Sequence, residues 1–365
     1  MLDSRFQLSF LGEMLIELAL LTPIIAFGLP LNLYCCKRLN TMTNERKTSR
    51  AKRNKTMSHH FVICLKHLNF CDLIISALFA PTKLGLAITQ DVWLAGRYAC
   101  RLLPFLSLSA FHGSSMLITV IAIVRLMETT TAIVTYDAKL FFTRILIALS
   151  WAVAISCSAI SLLTTKLVSI KWYDNDTAKE YCGNVWMASR VHVNSTIEAP
   201  HGEVLYYYFH LLSMFWLPAL ATSITYIATV CKTVQYKNHL ERQNVQRQGS
   251  TASTVSVSAL RRRRRLHPSC LLILVHFALW LPYNLASLSY HMRSWNLYGL
   301  HVMICYCTIV NPFCYRIIKL KKRTQQMIRT SLTLQARGSE MHSLLRPLPS
   351  ASNSACNING YLSVA

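Results

Sequence analysis

Acidic side chains are scarce in this sequence. It carries 15 Asp and Glu against 38 Lys and Arg, and only 15% of its 365 residues are charged. A soluble protein of this length shows a more charged surface. Metal-ligand spacing is missing too: the 13 cysteines include no Cys-x-x-Cys pair and no Cys/His cluster. Most cysteines, among them Cys35, Cys64, Cys157, Cys270, Cys305 and Cys307, lie inside apolar runs, where a thiol is a small apolar side chain. No nucleophile–base pair stands out, which removes an enzyme reading. The first residues lack a basic n-region and a cleavage site, so no cleaved signal peptide is expected and the first apolar segment serves as its own insertion signal. There is no internal repeat and no pair of inverted halves of the kind transporters show.

What is present is apolar length. Hydrophobic residues make up 53% of the chain, and they gather in seven segments near 13–36, 60–88, 98–124, 142–165, 205–231, 268–291 and 297–318. Cys100 to Arg125 is almost uncharged between its ends. As a helix it measures about 37 Å, more than the roughly 30 Å hydrocarbon core of a bilayer. The predicted fold is therefore an all-α membrane protein, a bundle of seven transmembrane helices. The expected organisation is a short outer N-terminus at 1–12, the seven-span domain at 13–318, an amphipathic helix at 319–332 with Leu320, Met327, Ile328 and Leu332 at the lipid interface, and a Ser-, Asn- and Pro-rich tail at 333–365 that reads as disordered.

Charge gives the orientation. Basic residues crowd the links at 37–59 and 232–267, the latter with the run Arg261 to Arg265, and the stretch after 316. Seven spans put all three on one side, the cytoplasmic one. That distribution also opposes a nucleic-acid partner, since the charge lies between spans and not on one soluble face. The opposite side holds Asp91, Asp174, Asp176, Glu180, Glu198 and Glu203. Two N-glycosylation sequons, at Asn175 and Asn194, fall on that outer side; a third, at Asn54, falls in a basic link and is discounted. The predicted location is the plasma membrane, with the N-terminus outside and the C-terminus cytoplasmic.

Ionisable and polar groups at membrane depth are costly and need a reason. Asp72 is the one carboxylate within the second span, and Ser114 and Asn311 are polar near mid-depth. They supply oxygen ligands for a small cation; a plain polar pairing is the alternative. Arg125 either snorkels to the headgroups or serves a function. Pro282 and Pro312 each remove a backbone hydrogen bond and bend the sixth and seventh spans.

These residues also carry a resemblance. Gly28-Leu-Pro-Leu-Asn32, Leu68-Asn-Phe-Cys-Asp72-Leu, Trp93-Leu-Ala-Gly96 with Cys100, Trp151, Pro218 with Tyr226, Phe277-Ala-Leu-Trp280-Leu-Pro282-Tyr283 and Asn311-Pro312-Phe-Cys-Tyr315 occur one per span, in order. The chain resembles the rhodopsin-like class of G-protein-coupled receptors across all seven spans. The resemblance implies a Cys100–Cys182 disulfide, which the oxidising exterior permits. It implies a polar core of Asn32, Asp72, Ser114 and Asn311 that admits a sodium ion, with no other cofactor. It also implies a switch of Arg125, Tyr226, Trp280, Pro282, Asn311, Pro312 and Tyr315 that opens a pocket for a heterotrimeric G protein, with arrestin and receptor kinases as further partners.

The sequence departs from that family at several points. The triplet around the inner arginine is Val124-Arg125-Leu126, with no acid before it, and the basic run at 261–265 offers none from the sixth span. Nothing obvious then holds Arg125 in a resting salt bridge, although Glu128 can pair with it weakly along the helix. Raised basal activity, an altered choice of G protein, or a scavenger that does not couple all follow as expectations. Ser115 and His276 replace other switch neighbours. A multi-span channel is the alternative outside receptors.

For the ligand, Ser107 stands where amine receptors carry an aspartate, and the seventh span has no lysine for a retinal Schiff base. The stretches 166–173 and 179–187 read as a β-hairpin lid about an Asp-Asn-Asp turn. Depth in the helices suggests a pocket of Ser107, Phe111, Trp186, Tyr207 and Tyr283, with Trp172, Tyr173, Trp295 and Tyr206 to Tyr208 as further aromatic contacts. Glu180 and Glu203 would meet a basic group. A peptide, of the neuropeptide kind, is favoured; a lipid is next.

Overall fold

The structure, a computed structural model, describes residues 2–48, 58–130, 135–170, 178–186, 201–246, 252–288 and 296–314. All belong to one compact unit, Met1–Tyr315. Asn175, Asn194, Tyr315, the expected helix at 319–332 and the tail lie outside the described residues.

Among the described residues six helices are long and apolar enough to cross a membrane: Met14–Asn44, His59–Ile88, Gly96–Thr130, Tyr136–Thr164, His201–Tyr236 and Ser269–Ala286. A shorter apolar helix, His301–Cys314, supplies the seventh. The bundle expected from the sequence is present. Its helices outrun their apolar windows. The first begins at Leu2, not at 13, and the fifth continues to Gln246. Beyond the hydrocarbon, Lys, Arg, Glu and Gln are strong helix formers and nothing in their side chains stops the helix.

The third span is the hub. In its most apolar stretch 78% of residues are buried, against 17% to 56% in the other five long spans. It packs on the second, fourth, fifth and sixth, through Ala110, Phe111, Leu117, Ile118, Ile121 and Val124 among others. The outer helices show the reverse pattern. In the fifth, Leu217, Leu220, Ile224 and Ile227 are exposed at spacings of three and four, one continuous helix face turned to lipid. Phe215, Thr222 and Thr229 are buried on the opposite face.

Among the described residues three spans contain a five-residue π-helical segment: Ile24–Gly28, Ile75–Phe79 and Leu212–Trp216. Each is centred four residues before a proline, at Ala26, Ala77 and Met214 ahead of Pro30, Pro81 and Pro218. A proline ring clashes with the carbonyl four residues back and offers it no N–H. Widening that turn relieves the clash and keeps the helix continuous, at the cost of one residue's rotation in the face above it. Pro282 provokes no break: the sixth-span helix is continuous from Ala252 to Ala286, and Asn284 Nδ2 donates to Trp280 O at 2.8 Å inside that turn. The seventh span is interrupted at Tyr306, ahead of Pro312.

The lid is a two-stranded antiparallel sheet as expected. Strand β1 (Thr165–Ile170) pairs with β2 (Lys179–Asn184), from Thr165 opposite Asn184 to Ile170 opposite Lys179. The turn between them lies outside the described residues.

Candidate functional site

At the inner end, Arg125 is held on three sides: the expected pairing with Glu128 along the helix is present, and two contacts from other spans add to it. Its Nη1 donates to Glu128 Oε2 at 2.7 Å, the i,i+3 pairing, with side-chain exposures of 3% and 16%. Its Nε donates to Ser269 Oγ of the sixth span at 3.2 Å. Its guanidinium carbon lies 3.9 Å from the centre of the Phe61 ring, contributed by the second span. A buried guanidinium pays heavily for desolvation unless such partners surround it, so this is a fixed position and not a snorkelling one. Val124 is itself fully buried; an acid there would point into the core unless the neighbours moved. Tyr226 is half-buried against the core.

The polar core divides into two units. Asp72 is fully buried, and both of its carboxylate oxygens accept from Asn311 Nδ2, at 3.2 and 3.0 Å. No cationic side chain pairs with Asp72 among the described residues. A buried carboxylate with one neutral donor suits a small cation, so Asp72 fits the sodium ion that the resemblance implies; bound there, the ion would supply the missing positive charge. Ser114 is buried in the neighbouring span without a hydrogen bond to Asp72 among the described residues. Asn32 does a different job. Its Nδ2 donates to Gly28 O at 2.8 Å and to Thr308 O at 2.7 Å, while its Oδ1 accepts from Asn69 Nδ2 at 2.7 Å. Thr308 lies four residues before Pro312, so its carbonyl is the one the proline leaves without a helical donor. Asn32 supplies that donor from the first span. Gly28 allows the approach: a Cβ there would meet Thr308 Oγ1 at 2.9 Å.

At the outer end, the Cys100–Cys182 disulfide joins the third span to β2, with Cα atoms 5.6 Å apart. The first outer loop is tied to the same strand. Trp93 N donates to Glu180 O at 2.7 Å, Val92 bridges Tyr181, and Trp93 Nε1 donates to Gly96 O at 2.8 Å.

Below this lid lie two aromatic clusters. In the first, Phe111 meets Phe79 edge-on at 5.0 Å, His301 at 6.1 Å and Trp280 at 6.2 Å; His301 also meets Phe79 at 5.6 Å and Tyr283 at 5.0 Å. Trp280 is buried, packed on His276 at 4.6 Å and stacked on Phe215 at 6.2 Å. In the second, Trp186 meets Tyr206 at 5.4 Å, Tyr206 meets His210 at 4.4 Å, and His210 meets His112 at 5.3 Å. His112 is fixed by Leu108 O, Ser158 Oγ and Ser213 Oγ at 3.0 to 3.3 Å. Of the five expected pocket residues, Phe111 and Tyr283 come together around His301, and Trp186 belongs to the second cluster. Tyr207 instead donates to Ser287 O at 2.8 Å and joins the fifth span to the sixth. Ser107 is buried in the third span. Glu203 is also buried, at 2% exposure, and the Glu180 side chain is exposed.

Sequence reasoning missed Phe79, His112, His210 and His301. Phe79 and His301 are single rings in apolar runs, and His112 and His210 each directly follow another ring, Phe111 and Phe209; both patterns read as core. The one available signal was the number of histidines at membrane depth.

The chain matches the family described as 7 transmembrane receptor (rhodopsin family) over residues 47–315. It is 22% identical to the G-protein coupled receptor daf-38 of Caenorhabditis elegans, across 79% of this chain and 85% of that protein. It is 24% identical to a QRFP-like peptide receptor of Branchiostoma floridae, across 76% of this chain and 71% of that one. With the seven apolar helices in place and the family match over residues 47–315, the chain belongs to the rhodopsin family of seven-transmembrane receptors.

Proposed function

We propose that this receptor binds an extracellular ligand at the aromatic clusters beneath the hairpin and passes the signal to a heterotrimeric G protein. A peptide is the favoured ligand and a lipid the next; similarity to a QRFP-like peptide receptor supports the first. The observation that carries the reading is the position of Phe111. Its ring meets His301 in the first aromatic cluster and Trp280 in the sixth span, and the same helix carries Ser269, which holds Arg125. A ligand that repositions Phe111 therefore acts on the span whose inner end restrains the arginine. It does so only through different affinities for the two arrangements. The orientation is N-terminus outside and C-terminus cytoplasmic at the plasma membrane, following the basic links. Arrestin and receptor kinases are the further cytoplasmic partners, and sodium at Asp72 the allosteric ion.

The test is basal nucleotide exchange on a panel of G proteins in membranes carrying the receptor, beside Arg125→Ala at equal surface expression. Exchange that disappears in the variant supports coupling and names the G protein. Absence of exchange on every G protein, with ligand uptake retained, turns the reading to a scavenger, which Val124 in place of an acid favours.

A further inference from the structure

Two of the three groups around Arg125 do not part from it when the sixth span moves. Glu128 belongs to the same helix and travels with it. Phe61 belongs to the second span, which is packed on the third along its length. Toward the outer end Phe79 meets Phe111 edge-on at 5.0 Å, and nearer the middle a Cβ on Gly113 would stand 3.1 Å from Cys71 Sγ. Ser269 alone leaves with the sixth span. The Glu128 pair is single-pronged, since its Oε1 has no hydrogen-bond partner among the described residues. The Phe61 ring is fully buried. The guanidinium carbon stands 3.9 Å from its centre, well inside the roughly 6 Å within which a ring face attracts a cation. Arg38 also lies over a ring, that of Tyr34, but at 5.9 Å and with the ring exposed. Water weakens that attraction at the exposed pair, and burial shields the Phe61 pair from it.

We propose that Phe61 is a positioning residue for Arg125: a cation–π contact keeps the guanidinium on the ring after the sixth span has parted, so that release of the arginine is a second step, distinct from opening. This rests on the reading of Arg125 as the residue that engages a G protein, and it names what governs that residue. The ring acts through its charge distribution and not only its bulk, because the negative face of the π-system is the part that meets the cation. Replacing ring hydrogens with fluorine withdraws electron density from that face and nearly keeps the shape. A packing role and a cation–π role therefore give different results.

The experiment places phenylalanine analogues with one, two and three ring fluorines at position 61 of the receptor in lipid nanodiscs, in the presence of Arg125 and with Arg125→Gln. The thermal midpoint and basal nucleotide exchange on the G-protein panel are read at equal amounts of receptor. With Arg125 present, each fluorine should lower the midpoint and raise exchange, the latter by about tenfold across the series. With Arg125→Gln the midpoint should not depend on fluorine. The rise in exchange should persist in Ser269→Ala, where the sixth-span contact is already gone. A midpoint indifferent to fluorine beside Arg125, or one that falls equally in both backgrounds, makes Phe61 a packing residue and overturns the inference. Measurable exchange that stays constant across the series overturns it too, and leaves coupling through Arg125 untouched. A rise that vanishes in Ser269→Ala makes ring and serine a single latch and removes the second step. Graded, Arg125-dependent loss of midpoint with no exchange on any G protein removes coupling and leaves the hold of Phe61 on Arg125 standing.

Discussion

Arg125 Nε and Ser269 Oγ lie 3.2 Å apart, and that hydrogen bond ties the inner end of the third span to the inner end of the sixth. The salt bridge to Glu128 stays within one helix; the Ser269 contact is the one that separation of the two spans must break. A hydrogen bond to a charged group contributes about 1.5–3 kcal/mol. Ser269→Ala should therefore shift the equilibrium toward the open arrangement and raise basal nucleotide exchange several-fold. Exchange equal to the unaltered receptor at matched surface expression would show that this contact does not restrain the spans.

Glu128 pairs with Arg125 at 2.7 Å, so the buried guanidinium has a carboxylate without one at position 124. Glu128→Gln leaves the buried guanidinium with weaker compensation, and basal exchange should rise. Val124→Asp alone should change little, because Arg125 already has a carboxylate; in the Glu128→Gln background it should lower exchange again. The pair forms a double-mutant cycle. Additive effects of the two substitutions would separate their roles and defeat the argument.

Asp72 is a fully buried carboxylate with Asn311 as its hydrogen-bond partner. If sodium occupies the site, raising sodium at constant ionic strength should lower basal exchange, and Asp72→Asn should abolish that response. A sodium effect undiminished in Asp72→Asn would place the ion somewhere else.

Much of this was legible in advance, and the illegible part has a common cause. The spans followed from apolar length, because lipid demands it of every helix that crosses. The motif residues Asp72, Asn311, Trp280 and Arg125 announced themselves by polarity, size or charge in an apolar setting. Ser269 and Phe61 gave no such sign. Their contacts with Arg125 depend on how three helices cross, and a serine or phenylalanine near a helix end has no distinctive pattern. The role of Asn32 was hidden for a related reason: the hydrogen bond that Pro312 removes is visible in the sequence, but the donor that replaces it comes from 276 positions away. The π segments were within reach, since Pro30, Pro81 and Pro218 each mark the carbonyl that a regular helix cannot accommodate.

The contact of Gly28 with Thr308 gives a packing test. A Cβ at position 28 would lie 2.9 Å from Thr308 Oγ1, and relieving that overlap pushes the first span from the seventh and lengthens the Asn32–Thr308 bond. Gly28→Ala should cost about 1–3 kcal/mol and lower the thermal midpoint in nanodiscs. Thr308→Ala should restore most of the loss by removing the hydroxyl. Failure of that rescue would mean that the strain arises on the helix backbone itself.

His210 is only 8% exposed, and among the described residues both of its ring nitrogens lack a hydrogen-bond partner. Its neighbours are rings: Tyr206, Phe209 and His112. Burying an unpaired polar group costs about 1–3 kcal/mol, a cost that packing alone would not retain. Phenylalanine has nearly the same shape and suits edge-to-face contacts with all three neighbours. His210→Phe should therefore raise the thermal midpoint of the ligand-free receptor while weakening ligand-stimulated exchange, since the imidazole is kept for a ligand and not for the fold. The two readouts separate the explanations. A fall in stability would show that His210 is a structural element whose ring nitrogens matter to the packing. A rise in stability with unchanged ligand response would make it a neutral occupant of the cluster. Only the opposite movement of stability and response assigns His210 to the ligand.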